Sequence, residues 1–363
     1  MKVVIVANIP APYREVIYSK LAQMEAIDLT VIYCKQIEDN RHWVLDEDRS
    51  YHCIFLQSAT MVFGEHTFYF DYSVLRRLRQ LNPDVVVTNA FAIPMLLAFL
   101  YSLITGKKHI SFTDGTIHTE SRLTIFHKII RRLVYASSAA FIGPSEASRQ
   151  LYLNRGVDEE KIFVSQLCID NQKFSNDVDF ESREYDLLYI GQIIDRKLPF
   201  FFVEIVRKLV TLRGQVSVLI AGAGDKKDEF LSALDSSGAN VFFQGFVAQE
   251  KLPMIYRKAK LLLMTTREDC WGVVANEALA SGTPVFTSPF AGAANELVLD
   301  KVTGAVIALD ADLWAERANK VLSEREVWNR LSLQGRRHVR QFNYDTAAKG
   351  LWDALTYVDR LDV

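Results

Sequence analysis

TTREDCWGVVANEALASGTPVFTSPFAGAANELV occupies residues 265–298 and decides how the rest of the chain is read. It follows an apolar run, residues 259–264, that reads as a buried parallel strand. An acidic turn comes next at Arg267, Glu268 and Asp269, and then Trp271-Gly272. Residues 273–280 have helical period; Ser281-Gly282 stops that helix and Pro284 bars its continuation. A second short strand, 283–288, leads into the small-residue loop Ala291-Gly292-Ala293-Ala294, and a further helix is expected to start near Asn295. The unit is a strand–loop–helix pair at one rim of a parallel sheet. Gly272 lets a ligand approach the backbone. The first N–H groups of the helix, near Gly272, Val273 and Val274, offer donors and positive dipole character to an anion. Glu277 lies about two helical turns down and can face the same crevice as Asp269. Two carboxylates repel phosphate, so they suit sugar hydroxyls flanking it, and Glu268 is a rival for Asp269. Taken alone, these acids are more simply first-turn side chains that complement the helix dipole and a solvated helix residue.

The chain has 363 residues, about half hydrophobic and a quarter charged, with a formal net charge of −2. That length suggests two domains with their own cores, and that charge gives no bulk reason to expect nucleic acid as a partner. The four cysteines, Cys34, Cys53, Cys168 and Cys270, show no metal-type spacing; the first three sit in apolar company and read as core thiols. The opening apolar run is too short for a signal peptide, so a cytoplasmic enzyme is the default.

Strand–loop–helix–strand alternation begins at once: a strand over residues 2–7, the loop Asn8-Ile9-Pro10-Ala11-Pro12, a helix over 13–24 with Val16, Ile17, Leu21 and Met24 on one face, and a strand over 29–34. Short mixed strands follow to residue 69, then a basic helix over 73–81 and a buried strand over 84–89. Residues 91–105 are apolar but shorter than the roughly 20 residues of a membrane span, so they read as a buried or interfacial helix. After a strand over 109–113 comes Asp114-Gly115-Thr116, then a basic helix over 121–135 whose apolar face is Ile125, Ile129, Ile130 and Leu133. That helix reads first as a solvated charged face over a core stripe; a basic amphipathic helix also suits an anionic membrane face. Residues 169–184 are polar and aperiodic and are read as a linker. The same alternation repeats from residue 185. The expected domains are therefore 1–168, 185–340, and a C-terminal helix over 341–363 packing back on the first. This is an α/β chain of two tandem Rossmann-like, doubly wound domains, an architecture that places its ligand cleft between them.

The order of strand, acid, aromatic-Gly, helical Glu-Ala, Ser-Gly-Thr-Pro-Val and Gly-x-x-x-Glu resembles the donor half of the retaining glycosyltransferases of family 4, which have the GT-B fold. Their E-x7-E pair stands here as Asp269-x7-Glu277. The resemblance implies that Glu277 holds the nucleotide ribose and that Asp269, with nearby backbone, holds the transferred sugar. A second segment, Gly191-Gln192-Ile193-Ile194-Asp195-Arg196-Lys197, follows a strand and precedes a helix. A cation there stabilises a diphosphate leaving group. The family has Gly-Arg and, five residues past that arginine, Lys. Lys197 matches, Gln192 replaces the arginine, and Arg196 or a backbone donor is left to compensate. Alone, the segment is a solvated basic turn. Gly222-Ala223-Gly224 is similar to the family's Gly-x-Gly turn, and alone is a tight turn. Phe243-Gln244-Gly245-Phe246-Val247 is similar to its nucleobase loop, which marks Phe246 and Val247. Residues 8–14 lack the glycines that many relatives keep in that loop; Pro12, Tyr13 and Arg14 mark the acceptor side, with a surface position the plain alternative for Arg14.

Asp114 ends a strand where several relatives carry a histidine or an acid beside the reacting sugar, and His118 follows. An acid here accepts a proton from the acceptor hydroxyl or steadies positive charge on the ring; a lone strand-end Asp is more often a cap or turn residue. The resemblance implies transfer of a hexose-type sugar from a UDP- or GDP-sugar to a glycan or lipid-linked acceptor in cell-surface polysaccharide synthesis, with no cofactor and no metal, at the inner face of a membrane or free of it. A sugar-nucleotide epimerase of the same architecture and a non-catalytic nucleotide-sugar-binding protein are the rivals.

Overall fold

The computed structural model describes residues 1–38, 49–63, 66–175 and 179–362. They divide into two units, one of residues 1–168 with 344–363 and one of residues 169–343.

The first unit runs β1 (Lys2–Ala7), α1 (Pro12–Ala22), β2 (Asp28–Tyr33), β3 (His52–Phe55), β4 (Ala59–Phe63), β5 (His66–Phe70), α2 (Ser73–Leu81), β6 (Val85–Asn89), α3 (Ile93–Thr105), β7 (Lys108–Phe112), α4 (Ile117–Ser121), α5 (Ile125–Ser137), β8 (Ala140–Gly143), α6 (Glu146–Asn154) and β9 (Ile162–Val164). Seven of its strands form one sheet in the order β3-β2-β1-β6-β7-β8-β9, every pair parallel. β4 and β5 form a separate antiparallel pair. Parallel strands covered by crossover helices are buried on both faces, and β1 accordingly buries Val3, Val4, Ile5 and Val6.

The second unit runs α7 (Asn171–Phe174), β10 (Tyr185–Ile190), α8 (Pro199–Arg213), β11 (Ser217–Ala221), α9 (Lys227–Asp235), β12 (Asn240–Gly245), α10 (Leu252–Arg257), β13 (Ala259–Met264), α11 (Val273–Ala280), β14 (Val285–Thr287), β15 (Gly304–Val306), α12 (Ala311–Ser323) and α13 (Arg325–His338). Its sheet order is β12-β11-β10-β13-β14-β15, again parallel throughout. The order reverses direction at β10 and β13, and it is beside such a switch point, past the strand C-termini, that open α/β sheets bind ligands.

α14 (Tyr344–Asp359) returns to the first unit. It lies on α1, β8 and β9, Ser165 donates to the Ala347 carbonyl at 2.9 Å, and a Cβ on Gly350 would stand 1.9 Å from the Val164 carbonyl oxygen. That close approach is why the helix carries a glycine at this point.

Four readings of the sequence change. On α1 the covered stripe is Arg14, Ile17, Tyr18 and Leu21, while Val16 is 37% exposed. Arg14 turns inward because it has partners there: Asp114 at 2.8 Å and the Phe112 ring at 4.3 Å. No helix starts near Asn295. Residues 289–299 are turns and isolated bridges, Asn295 has φ 61°, and a Cβ on Gly292 would stand 2.0 Å from the Cys270 carbonyl oxygen. The small residues let this loop lie against the backbone at 269–271, which a helix with side chains would prevent. The basic helix starts at Ile125, not 121, and its apolar face is outward: Ile125, Ile129 and Leu133 are exposed, and Val134 and Tyr135 are buried. Finally, the stretch 169–184 carries buried anchors, Ile169, Phe174, Phe180 and Arg183, in the second unit. Of the three cysteines in apolar company, Cys34 and Cys168 are buried and Cys53 is half-buried. Burial pushes the Cys34 and Cys168 thiols up to about 12 and Cys53 to about 11, so they are neutral and poor nucleophiles at pH 7.

Candidate active site

In the second unit the turn after β10, the turn after β11 and the loop after β13, each singled out from sequence, meet at the C-terminal edge of the sheet. The turn after β10 and the turn after β11 are locked backbone to backbone. Gly191 donates to the Ala221 carbonyl at 3.0 Å, Ile193 to Ala223 at 2.9 Å, and Lys226 to Ile193 at 3.1 Å. A Cβ on Gly222 would stand 1.9 Å from the Gly191 carbonyl oxygen, and one on Gly224 2.1 Å from that of Ile193. The Gly-x-Gly pair is therefore explained by turn-on-turn packing. Gly222 also donates to the Gly245 carbonyl at 2.8 Å, which ties in the loop carrying Phe246 and Val247; Phe246 is 59% exposed.

The turn after β10 is tied equally closely to the loop after β13. Arg267 donates its N–H to the Arg196 carbonyl at 2.8 Å, and the Thr265 hydroxyl donates to the Lys197 carbonyl at 3.0 Å. The Thr266 hydroxyl contacts the carbonyls of Arg196 and Glu268. On this frame Arg196 reaches the Gln192 side-chain oxygen at 3.2 Å and the Glu268 carbonyl at 3.4 Å. The Lys197 ammonium forms an ion pair with the Asp269 carboxylate. Sequence reasoning missed Thr265, Thr266 and Ser288, whose hydroxyls hold these loops; two threonines at a strand end carry no distinguishing signal.

Asp269 is set by this frame. Its Oδ1 accepts from the Trp271 N–H at 3.2 Å, its own N–H donates to the Phe290 carbonyl at 3.3 Å, and its carbonyl accepts from Gly292 at 2.8 Å. Burial pushes its carboxyl up, but the charge and hydrogen bond of Lys197, the Trp271 N–H and Arg196 outweigh that and hold it below the usual carboxylate range. Gly272 then takes φ 95°, a left-handed conformation costly for any residue with a Cβ, and α11 starts at Val273. The first N–H to bond back is that of Ala275, to the Gly272 carbonyl, so the N–H groups of Val273 and Val274 precede the helix's own ladder. Trp271, marked in the sequence as the aromatic before Gly272, is 1% exposed and its ring lies 5.9 Å from that of Phe342, so its side chain belongs to the core.

Glu277 is buried, 6% exposed, and accepts a hydrogen bond from the Tyr256 hydroxyl at 2.5 Å. Burial raises its carboxyl from 4.5 to about 7, against the opposing effect of the Tyr256 bond. The two acids of the x7 pair thus titrate in opposite directions. Tyr256 lies on α10, 21 residues away, and nothing in the sequence connects the two. A carboxyl raised in the folded state binds more protons folded than unfolded between pH 4.5 and 7, so it lowers stability as pH rises through that window. The full effect, above pH 7, is roughly 3 kcal/mol. Glu277→Gln, which keeps an acceptor for Tyr256, is expected to melt higher than the parent at pH 8 and to differ little below pH 4.5. Calorimetry across that range checks it; equal melting points at pH 8 would mean that burying the carboxylate carries no such cost.

In the first unit, Arg14 and Asp114 meet as an ion pair, with Arg14 nearly enclosed and Asp114 more than a third exposed. Pro12 opens α1 at its first turn, where Tyr13 is half-buried. His118 lies on α4, behind a cap in which Thr116 and Thr119 bond each other's backbone. Among the described residues no three of His, Cys, Asp or Glu come together as metal ligands would.

Residues 170–338 match the family described as glycosyl transferases group 1, and residues 36–173 match glycosyltransferase family 4. This chain belongs to the family 4 glycosyltransferases. The fold agrees. The crystal structure of HepE from Anabaena in complex with UDP superposes with a TM-score of 0.78 at 14% identity, covering 98% of this chain and all of that one. Sucrose-phosphate synthase from Thermosynechococcus elongatus gives 0.77 at 16%, over 99% of this chain and all of that one. Both are GT-B structures, and at such identities the likeness concerns fold alone. By sequence, this family 4 chain is 27% identical over 188 residues to the D-inositol 3-phosphate glycosyltransferase of Salinispora tropica, across 48% of this chain and 39% of that protein. It is 25% identical over 187 residues to an uncharacterised glycosyltransferase of Methanocaldococcus jannaschii, across 51% of this chain and 47% of that protein. The chain therefore spans less than half the length of these two curated relatives.

Proposed function

We propose that this family 4 glycosyltransferase moves a hexose-type sugar, with retention of configuration, from a nucleotide-diphosphate sugar to a glycan or lipid-linked acceptor of a cell-surface polysaccharide. The observation that carries the reading is the meeting of Lys197, Arg196 and Asp269 beside the start of α11, at the strand C-termini where the sheet order reverses. Lys197 and the N–H groups of Val273 and Val274 hold the diphosphate and stabilise its charge as the sugar bond breaks. An ammonium has three donors, so Lys197 can keep Asp269 and still meet a phosphate oxygen. Asp269, with Glu268 beside it, accepts hydrogen bonds from the sugar. Glu277 accepts from the ribose, and the backbone near Phe246 and Val247 meets the base. Arg196, already bonded to Gln192, supplies the positive charge that the Gln192 position lacks. HepE has been solved with UDP and with UDP-glucose, and TarM of S. aureus with UDP and a glycosylated glycerol; both support a nucleotide-diphosphate sugar as donor. On the first unit, this reading gives Asp114 or His118 the task of taking the acceptor's proton, with Arg14 fixing the Asp114 side chain.

The test is incubation with UDP- and GDP-hexoses, with and without a lipid-glycan extract. Acceptor-dependent release of nucleoside diphosphate is expected, with the anomeric configuration of the donor kept in the product. Asp114→Asn is expected to slow turnover with little change in donor affinity. Interconversion of the sugar nucleotide without acceptor, or binding without turnover on any acceptor, would overturn the reading.

A further inference from the structure

Tyr256, on α10, is fully enclosed and has little freedom. Its backbone carbonyl accepts from Arg183 Nη1 at 3.1 Å and from the Thr283 hydroxyl at 2.8 Å. Its ring stands edge-on to that of Phe174, with 6.0 Å between centroids. With backbone and ring fixed, the hydroxyl is aimed at Glu277 and donates to its Oε2 at 2.5 Å. Among the described residues Glu277 Oε1 accepts no such bond, and it is not sealed from solvent. A carboxylate can accept about four hydrogen bonds, so Oε1 is open to a donor from a ligand. The fold alone does not require the pair. An enclosed hydroxyl and an enclosed carboxyl each cost free energy that apolar side chains of the same size would not. What the pair supplies is a carboxylate held in one orientation, with one oxygen occupied and the other offered.

The elements packed on α11 are α7, α10, α13, the turn at Val339–Gln341, β13 and β14. Their charged side chains are engaged elsewhere. Arg257 of α10 reaches the Ser175 carbonyl at 3.5 Å, Lys260 of β13 pairs with Asp186, and His338 of α13 bonds the Glu296 carbonyl. Arg336 lies against Gly282, beyond the end of α11. Lys173 of α7, Arg340 of the turn and the other charges of α13 are exposed. Lys197 and Asp269, near the start of α11, are paired with each other. Two influences are left on Glu277: burial, which raises its carboxyl to about 7, and the Tyr256 hydrogen bond, which opposes it. A donor to the charged form favours that form, so loss of the hydroxyl moves the carboxyl higher still. Tyr256 itself keeps its proton, because burial and then the charge of Glu277 push its hydroxyl well above the usual phenol value.

We propose that Tyr256 is a positioning residue of the donor site: its hydroxyl holds one oxygen of the Glu277 carboxylate and leaves the other for a ligand hydroxyl. The proposal rests on the reading of Glu277 as the acceptor for the ribose. The test is titration calorimetry of the full chain with UDP and with GDP at pH 7 and pH 9, in the parent, Tyr256→Phe, Glu277→Gln and the double variant. Tyr256→Phe keeps the ring in place, and a melting curve checks that it folds. It is expected to bind the parent's nucleotide weaker by about fivefold or more at pH 7, where Glu277 is then largely protonated. That deficit is expected to shrink at pH 9, where the carboxyl ionises without its donor. Comparing variant with parent at each pH cancels the nucleotide's own titration, and a loss through altered packing is the same at both. In Glu277→Gln, adding Tyr256→Phe is expected to change affinity by less than about threefold, since Tyr256 acts through Glu277. A smaller deficit at pH 7, an equal deficit at both pH values, or a full further loss in the double variant overturns the proposal; if Glu277→Gln alone still weakens binding, the donor-site reading stands. If the parent binds neither nucleotide, or Glu277→Gln binds as the parent does, that reading fails and the proposal fails with it.

Discussion

Lys197→Ala is expected to lower the rate of sugar transfer by roughly 10²–10³-fold, the range for removing one preorganised charge from a developing anion. Two effects combine. The leaving diphosphate loses its nearest cation, and Asp269, half-buried and ion-paired with Lys197, is left with the Trp271 N–H and the charge of Arg196. Its carboxyl then moves up toward neutrality, and it becomes a poorer acceptor for the sugar. The two effects separate in a double-mutant cycle. Lys197→Ala/Asp269→Asn is expected to recover the melting temperature that Lys197→Ala loses, because the uncompensated charge is gone, while transfer stays at the low level. Lys197→Arg is expected to retain part of the activity, since the charge survives but the fork cannot overlay a compact ammonium. Transfer within twofold of the parent in Lys197→Ala would remove the cation from the mechanism.

Arg183→Met is expected to destabilise the second unit by about 2–4 kcal/mol. Arg183 is 3% exposed. Its Nη1 donates to the carbonyls of Tyr256 at 3.1 Å and Ala259 at 2.7 Å and to the Thr283 hydroxyl at 2.6 Å, and its Nη2 to the Ser281 carbonyl at 2.9 Å. The guanidinium lies 4.8 Å from the Trp328 ring. It therefore gathers the end of α10, the start of β13 and the exit of α11 around one side chain. Burial, then the charge of Arg336, brings its pKa down to about 9, so it is still charged at pH 7. Removing it relieves that burial cost but leaves several enclosed carbonyls unmatched, at about 1–3 kcal/mol each, and the second effect is the larger. At about 2–4 °C per kcal/mol for a unit of this size, the calorimetric transition that nucleotide shifts is expected to fall by roughly 4–16 °C. A change under 2 °C would mean that the strand and helix ends are held without it.

Much of the fold was legible because it depends on short-range pattern. β13, α11 and α2 have the limits read for them from the apolar run at 259–264, the Ser-Gly stop and the basic stretch at 73–81. What was not legible depends on partners far along the chain. Arg14 turns inward only because Asp114, 100 residues on, meets it, and Val16 is displaced outward. Arg183 looked like part of a polar linker because its four acceptors lie 73 to 100 residues later. A three-residue strand such as β15 has no periodicity to detect. On α5, periodicity revealed apolar positions but could not say which of them a neighbour covers; Ile129 and Ile130 are adjacent in sequence and about 100° apart on the helix, yet Ile130 packs on the core and Ile129 is exposed. At the candidate site the sequence placed Gln192, Arg196, Lys197, Glu268 and Asp269 on two loops, and the threonine hydroxyls and carbonyls that join those loops are generic residues with no signature.

Isothermal titration of the full chain with UDP and with GDP tests the central claim most directly, because it measures the donor site without an acceptor. One of the two nucleotides is expected to bind, with affinity lowered at least tenfold in both Lys197→Ala and Glu277→Gln and unchanged in Asp114→Asn. Failure of both nucleotides to bind, or binding that neither substitution weakens, would contradict it.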